Sequence, residues 1–133
     1  MILRIAAIDP MGRLQRAGIY EHLNHGRAEI DRLDHAPLPL SVLLEQRYDA
    51  ILLDPDISAE GLSAGFQFVS SLRSPASANR TTPIVVLGRY FLNGDAHYRG
   101  VAQKFHDLGQ ARYHRVNDVS SEELWRAIHR TVQ

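Results

Sequence analysis

Tyr48-Asp49-Ala50-Ile51-Leu52-Leu53-Asp54-Pro55-Asp56 is the stretch of this 133-residue chain whose reading decides the fold. Four apolar residues, Ala50 to Leu53, run without a polar interruption and stop at an acid. A run that short and that continuous, bounded by breakers, is the pattern of a strand buried on both faces of a parallel sheet. Ligand sites of open α/β sheets lie beyond the carboxyl ends of their strands. Asp54 therefore stands where chemistry is expected. Leu3 to Ile8 is a second such strand and also ends in an acid, Asp9.

Working outward, short apolar runs alternate with longer amphipathic segments, the signature of a parallel α/β sheet. Pro10 follows strand one, and a helix is expected from about Met11 to Asn24, with Leu14, Ala17, Tyr20 or Glu21, and Leu23 at helical spacing; His25-Gly26 is its stop. Strand two is expected over 28–33. Pro37 and Pro39 punctuate a loop, and a short helix over 41–46 begins with Ser41 or Leu40 near its cap. Residues 55–65 read as a loop, followed by a helix with Phe66, Phe68, Val69 and Leu72 on one stripe. Residues 73–82 read as an extended polar loop leading to strand four, Ile84 to Leu87, which Gly88 ends. A fourth helix falls within 95–108, with Gly109 as its cap. A fifth strand lies near 112–116. Ser120 and Glu123 form a capping box for a last helix whose Leu124, Ile128 and Val132 share a face. Five strands and five helices in strict alternation, joined by right-handed crossovers, specify one domain over residues 1–133. Its expected fold is a doubly wound, three-layer α/β/α, flavodoxin-like arrangement with strand order 2-1-3-4-5. Strands one and three then meet at the switch point and bring Asp9 and Asp54 together.

Composition narrows the function. Fifteen basic and fifteen acidic residues balance, so the overall charge gives no support to direct nucleic-acid binding. The absence of cysteine excludes disulfides, thiolate metal sites and cysteine nucleophiles. No apolar run approaches the roughly 20 residues of a membrane span, and the first residues lack a signal-peptide pattern. A cytoplasmic protein without membrane contact is the expectation. The seven histidines show no recognised ligand spacing, although His22 and His25, three apart, can share a helix face. Gly61 and Gly65 lack the spacing of a phosphate-cradling loop, and no serine has a nucleophile-elbow sequence. These gaps count against a small flavodoxin-like enzyme. Trp125 marks either core packing at a helix edge or a partner face.

With these blocks in order, nearly the whole chain resembles a two-component response-regulator receiver domain. Ile5-Ala6-Ala7-Ile8-Asp9 resembles its first strand, and 48–54 the strand that presents the phospho-accepting aspartate. Thr82-Pro83-Ile84-Val85-Val86-Leu87 resembles its fourth strand, and 108–113 the turn into the fifth. The resemblance implies a bacterial signalling protein rather than an enzyme. Asp54 would take a phosphoryl group from a histidine kinase or phosphotransfer protein. Mg²⁺ would be held by Asp9, Asp54 and the carbonyl of Asp56, and Tyr113 would be the aromatic switch residue. Its partner would be an output domain or protein, with a homodimer as an option, and the chain would be a stand-alone regulator or an excised input domain. Positions also depart from the family. Pro10 replaces a second acid, Gly88 a hydroxyl residue, Val116 a lysine and Asn117 a proline; Arg115 is one residue off the lysine position, and Ser58 stands near the place of another proline. The loop before the third helix is also about three residues longer. Close carboxylates repel one another, so a cation must relieve this pocket. Mg²⁺ is one candidate. Arg89, directly after Gly88, is another and would double as a phosphate ligand. The alternative to a phosphorylated receiver is a degenerate one, kept as an interaction or dimerisation module that does not depend on phosphorylation.

Overall fold

In this computed structural model, residues 2–23, 28–33, 39–55, 62–88, 95–109 and 111–129 are described, apart from the side chains of Pro39 and residues 95–98. The strands are β1 (Leu3–Ile8), β2 (Ala28–Arg32), β3 (Ala50–Leu53), β4 (Ile84–Gly88) and β5 (Arg112–Arg115). They pair in parallel in the order β2-β1-β3-β4-β5, as the alternation of elements predicts. Side chains alternate between the faces of a strand, and both faces are covered. Ala6, Ile8, Ile51, Leu53, Ile84 and Val86 join one apolar cluster, while Ile5, Ala7, Ala50, Leu52, Val85 and Leu87 join the other. All four β3 residues are fully buried. Full burial of a side chain the size of Ile51, Leu52 or Leu53 is worth about 1.5–3 kcal/mol relative to leaving it in water.

The helices are α1 (Arg13–Arg16), α2 (Ile19–Leu23), α3 (Pro39–Glu45), α4 (Leu62–Leu72), α5 (Asp95–Asp107) and α6 (Ser121–His129). Phe68, Val69, Leu72, Val101 and Phe105 pack one sheet face; Leu14, Ile19, Leu23, Leu124, Ala127 and Ile128 pack the other. The single helix expected from Met11 to Asn24 is a correction. It breaks at Gly18, whose φ of 75° belongs to the left-handed region that favours glycine. The break rotates the second half, so that Ile19 is buried beside Leu14 and Leu23. Tyr20 is left partly exposed, and its hydroxyl reaches Asp9. Helix α3 starts at Pro39, before the expected Ser41, because proline suits a first helical turn.

The capping box of α6 forms as read. The Glu123 amide donates to Ser120 Oγ at 3.0 Å, and the Ser120 amide donates to Glu123 Oε1 at 3.2 Å. Trp125 Nε1 donates to the carbonyl of His22 at 3.2 Å and its ring stacks on His129, so its described contacts pin α6 to α2. On β5, burial holds the His114 pKa below its ordinary value; Glu123 opposes the shift, and the neighbouring Arg112 adds a smaller push in the same direction as burial. The unfolded chain protonates this group near pH 6.5 while the folded one keeps it neutral. Its contribution to stability is complete above that pH and is lost as pH falls through it toward the lower folded value. Urea unfolding at about pH 7.5 and pH 5.5 should show His114→Gln flattening this slope by under about 1 kcal/mol. Equal slopes in the two proteins would refute it.

Candidate functional site

Residues Ile8 and Leu53 are partners in the β1–β3 register, and the Asp54 amide donates to the Ile8 carbonyl at 3.0 Å. Asp9 and Asp54 therefore leave the sheet side by side at its carboxyl edge. Both are buried, with 0% and 1% of their surface exposed. A buried charge is costly unless it is paired and hydrogen-bonded. The chain meets that requirement at both acids.

Asp9 is tied into the helices that follow it. Its Oδ1 accepts from the Leu14 amide at 3.1 Å, and its Oδ2 accepts from the Gln15 amide at 3.1 Å and the Tyr20 hydroxyl at 3.0 Å. The first N–H groups of a helix have no partner within the helix. Asp9 satisfies two of them in α1 from outside it. Gly12, with φ 71°, makes the turn that allows this, and its amide donates back to the Asp9 carbonyl at 3.1 Å. From the end of β2, Arg32 NH2 lies 3.7 Å from Asp9 Oδ2. Its guanidinium also donates to Gln15 Oε1 at 3.0 Å and lies 5.5 Å from the centre of the Tyr20 ring.

Asp54 faces a second guanidinium. Arg13 NH1 lies 3.4 Å from Oδ1 and 3.5 Å from Oδ2, and the Arg13 side chain is 17% exposed. Among the described residues, two carboxylates thus meet two arginines that the sequence reading did not select. A signal existed for both. Arg32 closes the strand beside β1, and Arg13 lies four residues after Asp9 in the first turn. Neither was found, because the cation was sought at Arg89 or in a metal. Arg89 and Asp56 fall outside the described residues, as do His25, Gly26, Pro37, Ser58 and Gly61.

At the other side of this edge, Gly88 pairs in register with Arg115, and the Val116 amide donates to the Gly88 carbonyl at 2.8 Å. Val116 is buried in the second cluster, so the position that the resemblance gives to a lysine is apolar and inside. Arg115 pairs with Asp118 at 2.9 Å. Tyr113 is buried against Gly88, and a Cβ added at Gly88 would lie 2.5 Å from the tyrosine oxygen. Gly65 has a similar role. Its missing Cβ lets α4 approach Pro55, whose carbonyl oxygen would be 2.7 Å away, and this holds the chain that leaves Asp54.

Among the described residues, the donor set fits Mg²⁺ poorly. That ion demands near-octahedral oxygen ligands at about 2.0–2.1 Å. Both oxygens of Asp9 are engaged by donors that fasten α1 and Tyr20, and Pro10 supplies no side-chain oxygen. Among the described residues, no three His, Asp or Glu side chains converge in a way that could hold a metal ion. No described helix is long and apolar enough to cross a membrane.

No protein-family model and no curated protein matches the chain. Solved structures do. The chain is similar to the chemotaxis protein CheY4 of Vibrio cholerae, at 19% identity and TM-score 0.68 over 100% of both chains. It is similar to the receiver domain of the sensor histidine kinase PA1611 of Pseudomonas aeruginosa, at 20% identity and TM-score 0.69, covering 99% of this chain and 98% of that one. In that structure a magnesium ion is coordinated in the active-site cleft. The signal receiver domain of the DNA-binding response regulator merR of Colwellia psychrerythraea gives 16% identity and TM-score 0.69, over 95% and 94% of the two chains. The chain has the receiver fold.

Proposed function

We propose that this chain is a signal-transduction receiver domain of the degenerate kind, a cytoplasmic module that engages a partner through its surface without needing a phosphoryl group on Asp54. One observation carries the reading: Asp9, which would be a metal ligand in a phosphorylated receiver, is fully buried and spends both oxygens on α1 and Tyr20. Phosphoryl transfer is mostly positioning and charge neutralisation. Here, the usual metal ligand is committed elsewhere, the lysine position is a buried valine, and the hydroxyl position is a glycine covered by Tyr113. The surface of α5, β5 and α6, where Arg112 and Arg126 are exposed, is the place to seek a partner or a second copy.

A second reading keeps Asp54 as phosphoryl acceptor from a histidine kinase or phosphotransfer protein, with an output domain downstream. Its support is the position of Asp54 at the carboxyl end of β3, with Arg13 near enough to share the charge of an added phosphoryl group. Incubation with acetyl phosphate and Mg²⁺, read by intact mass, separates the two. The degenerate reading expects no phosphoryl adduct, and partner affinity unchanged in Asp54→Asn. An adduct on the wild type that vanishes in Asp54→Asn establishes the second reading instead.

A further inference from the structure

We infer that Arg13 and Arg32 are the resident cations of the Asp9–Asp54 pocket, so that this pocket folds and persists without a divalent metal ion. The assignment deepens the receiver reading of the same pocket and rests on it. Three physical points carry it. First, the charges match in the described part of the site: Arg13 faces Asp54 and Arg32 faces Asp9, so two carboxylates meet two guanidiniums. A dication added there would sit beside two arginines and be repelled by both. Secondly, Arg32 is held from several sides rather than loosely paired. It donates to Gln15 Oε1 at 3.0 Å and to the Asp9 carbonyl at 3.4 Å, and it lies against Tyr20. A guanidinium presents several donors in a fixed fork and is always charged, which suits a permanent counter-ion better than an exchangeable one. Thirdly, three of the roughly four lone-pair positions of the Asp9 carboxylate accept from Leu14, Gln15 and Tyr20, so a metal would have to share Oδ1 with the Leu14 amide or displace a donor that fastens α1 to β1.

The two arginines come from different elements. Arg32 ends the edge strand β2, and Arg13 opens α1. The two described ion pairs therefore also clamp β2 and α1 onto the central strands. In a metal-dependent pocket the cation comes and goes with the solution; here it is encoded in the chain.

The test uses Mn²⁺ as a paramagnetic probe of the whole domain, with Mg²⁺ as competitor, read on the amide resonances of Leu14, Gln15 and Asp54. The expected result is no saturable broadening of these amides in the wild type up to about 10 mM metal, in the range of weak divalent sites. Melting in parallel should show Arg32→Gln lowering the wild-type midpoint by about 5 °C or more, and Arg13→Gln likewise, with EDTA leaving the wild type unchanged. Saturable broadening that Mg²⁺ reverses would overturn the assignment. So would arginine variants that melt with the wild type. These readouts are independent of phosphoryl adducts and of partner affinity, so the assignment can fail while the degenerate-receiver reading survives, and the reverse.

Discussion

Asn79→Ala is expected to cost about 3–5 kcal/mol, a large part of the 5–15 kcal/mol that holds a domain of this kind together. Asn79 is fully buried and all of its side-chain hydrogen bonding is used. Its Nδ2 donates to the carbonyls of Leu43 at 2.5 Å and Gln46 at 2.8 Å. Its Oδ1 accepts from the Tyr48 amide and from the Thr82 hydroxyl, each at 2.9 Å. One side chain therefore joins the end of α3, the entry to β3 and the entry to β4. Alanine leaves these four groups without that partner, and each buried polar group so orphaned costs about 1–3 kcal/mol before relaxation. Asn79→Asp should be no better, because it keeps the acceptor but turns a buried carboxylate toward two carbonyl oxygens. Ser77→Ala, which removes one bond to the Asn79 amide, should cost about 1 kcal/mol. Urea unfolding of the three variants decides the matter, and a loss below about 1 kcal/mol for Asn79→Ala would show that this knot carries little. The pocket at the opposite end of the sheet should keep its amide shifts in the folded fraction.

The same segment shows where sequence reading stops. A run such as Ala50 to Leu53 reveals its burial through composition alone, and the parallel order follows from alternation and handedness. The segment 73–82 looks like solvated loop, since serine, asparagine and threonine are common on surfaces. Its buried state depends on partners far along the chain, at Leu43, Gln46 and Tyr48. Arg73 is similar. It is a surface residue by type, yet its guanidinium donates to the carbonyls of Gly109, Asn79 and Thr82, and burial lowers its pKa to about 10. At the acid pocket, strand periodicity was enough to bring Asp9 and Asp54 together. It was not enough to assign their counter-ions, because those depend on a helix break at Gly18 and on the neighbour that β1 takes in the sheet. The expectation of one unbroken first helix hid Tyr20 from the site for that reason.

Gly88→Ala should destabilise the protein by about 2 kcal/mol, and Gly88→Thr by more, because a well-packed site loses about 1–3 kcal/mol when it is overfilled. The position is at the end of β4 with no free volume above it. A Cβ there would lie 2.5, 2.8 and 2.9 Å from the hydroxyl oxygen, Cε2 and Cζ of Tyr113. That ring has little room to yield, since it is 6% exposed and stacks on Phe105 at 5.9 Å between centroids. The clash is with the far end of one side chain, so it should vanish when that end is removed. In a Tyr113→Leu background, Gly88→Ala should cost under about 0.5 kcal/mol, leaving a coupling of about 1.5 kcal/mol between the two sites. The same cost in both backgrounds would mean that the strand, not the ring, resists the methyl group. The cycle also bears on the proposed degenerate reading. Gly88→Thr restores the hydroxyl that the receiver resemblance expects, but it does so in space that Tyr113 occupies. The expected product of that single change is a less stable domain rather than a recovered switch. On that reading, a phosphoryl-sensing switch would require the aromatic ring to move outward and the Asp9–Arg32 and Asp54–Arg13 pairs to open together, three packed and charged contacts that a single hydroxyl cannot displace.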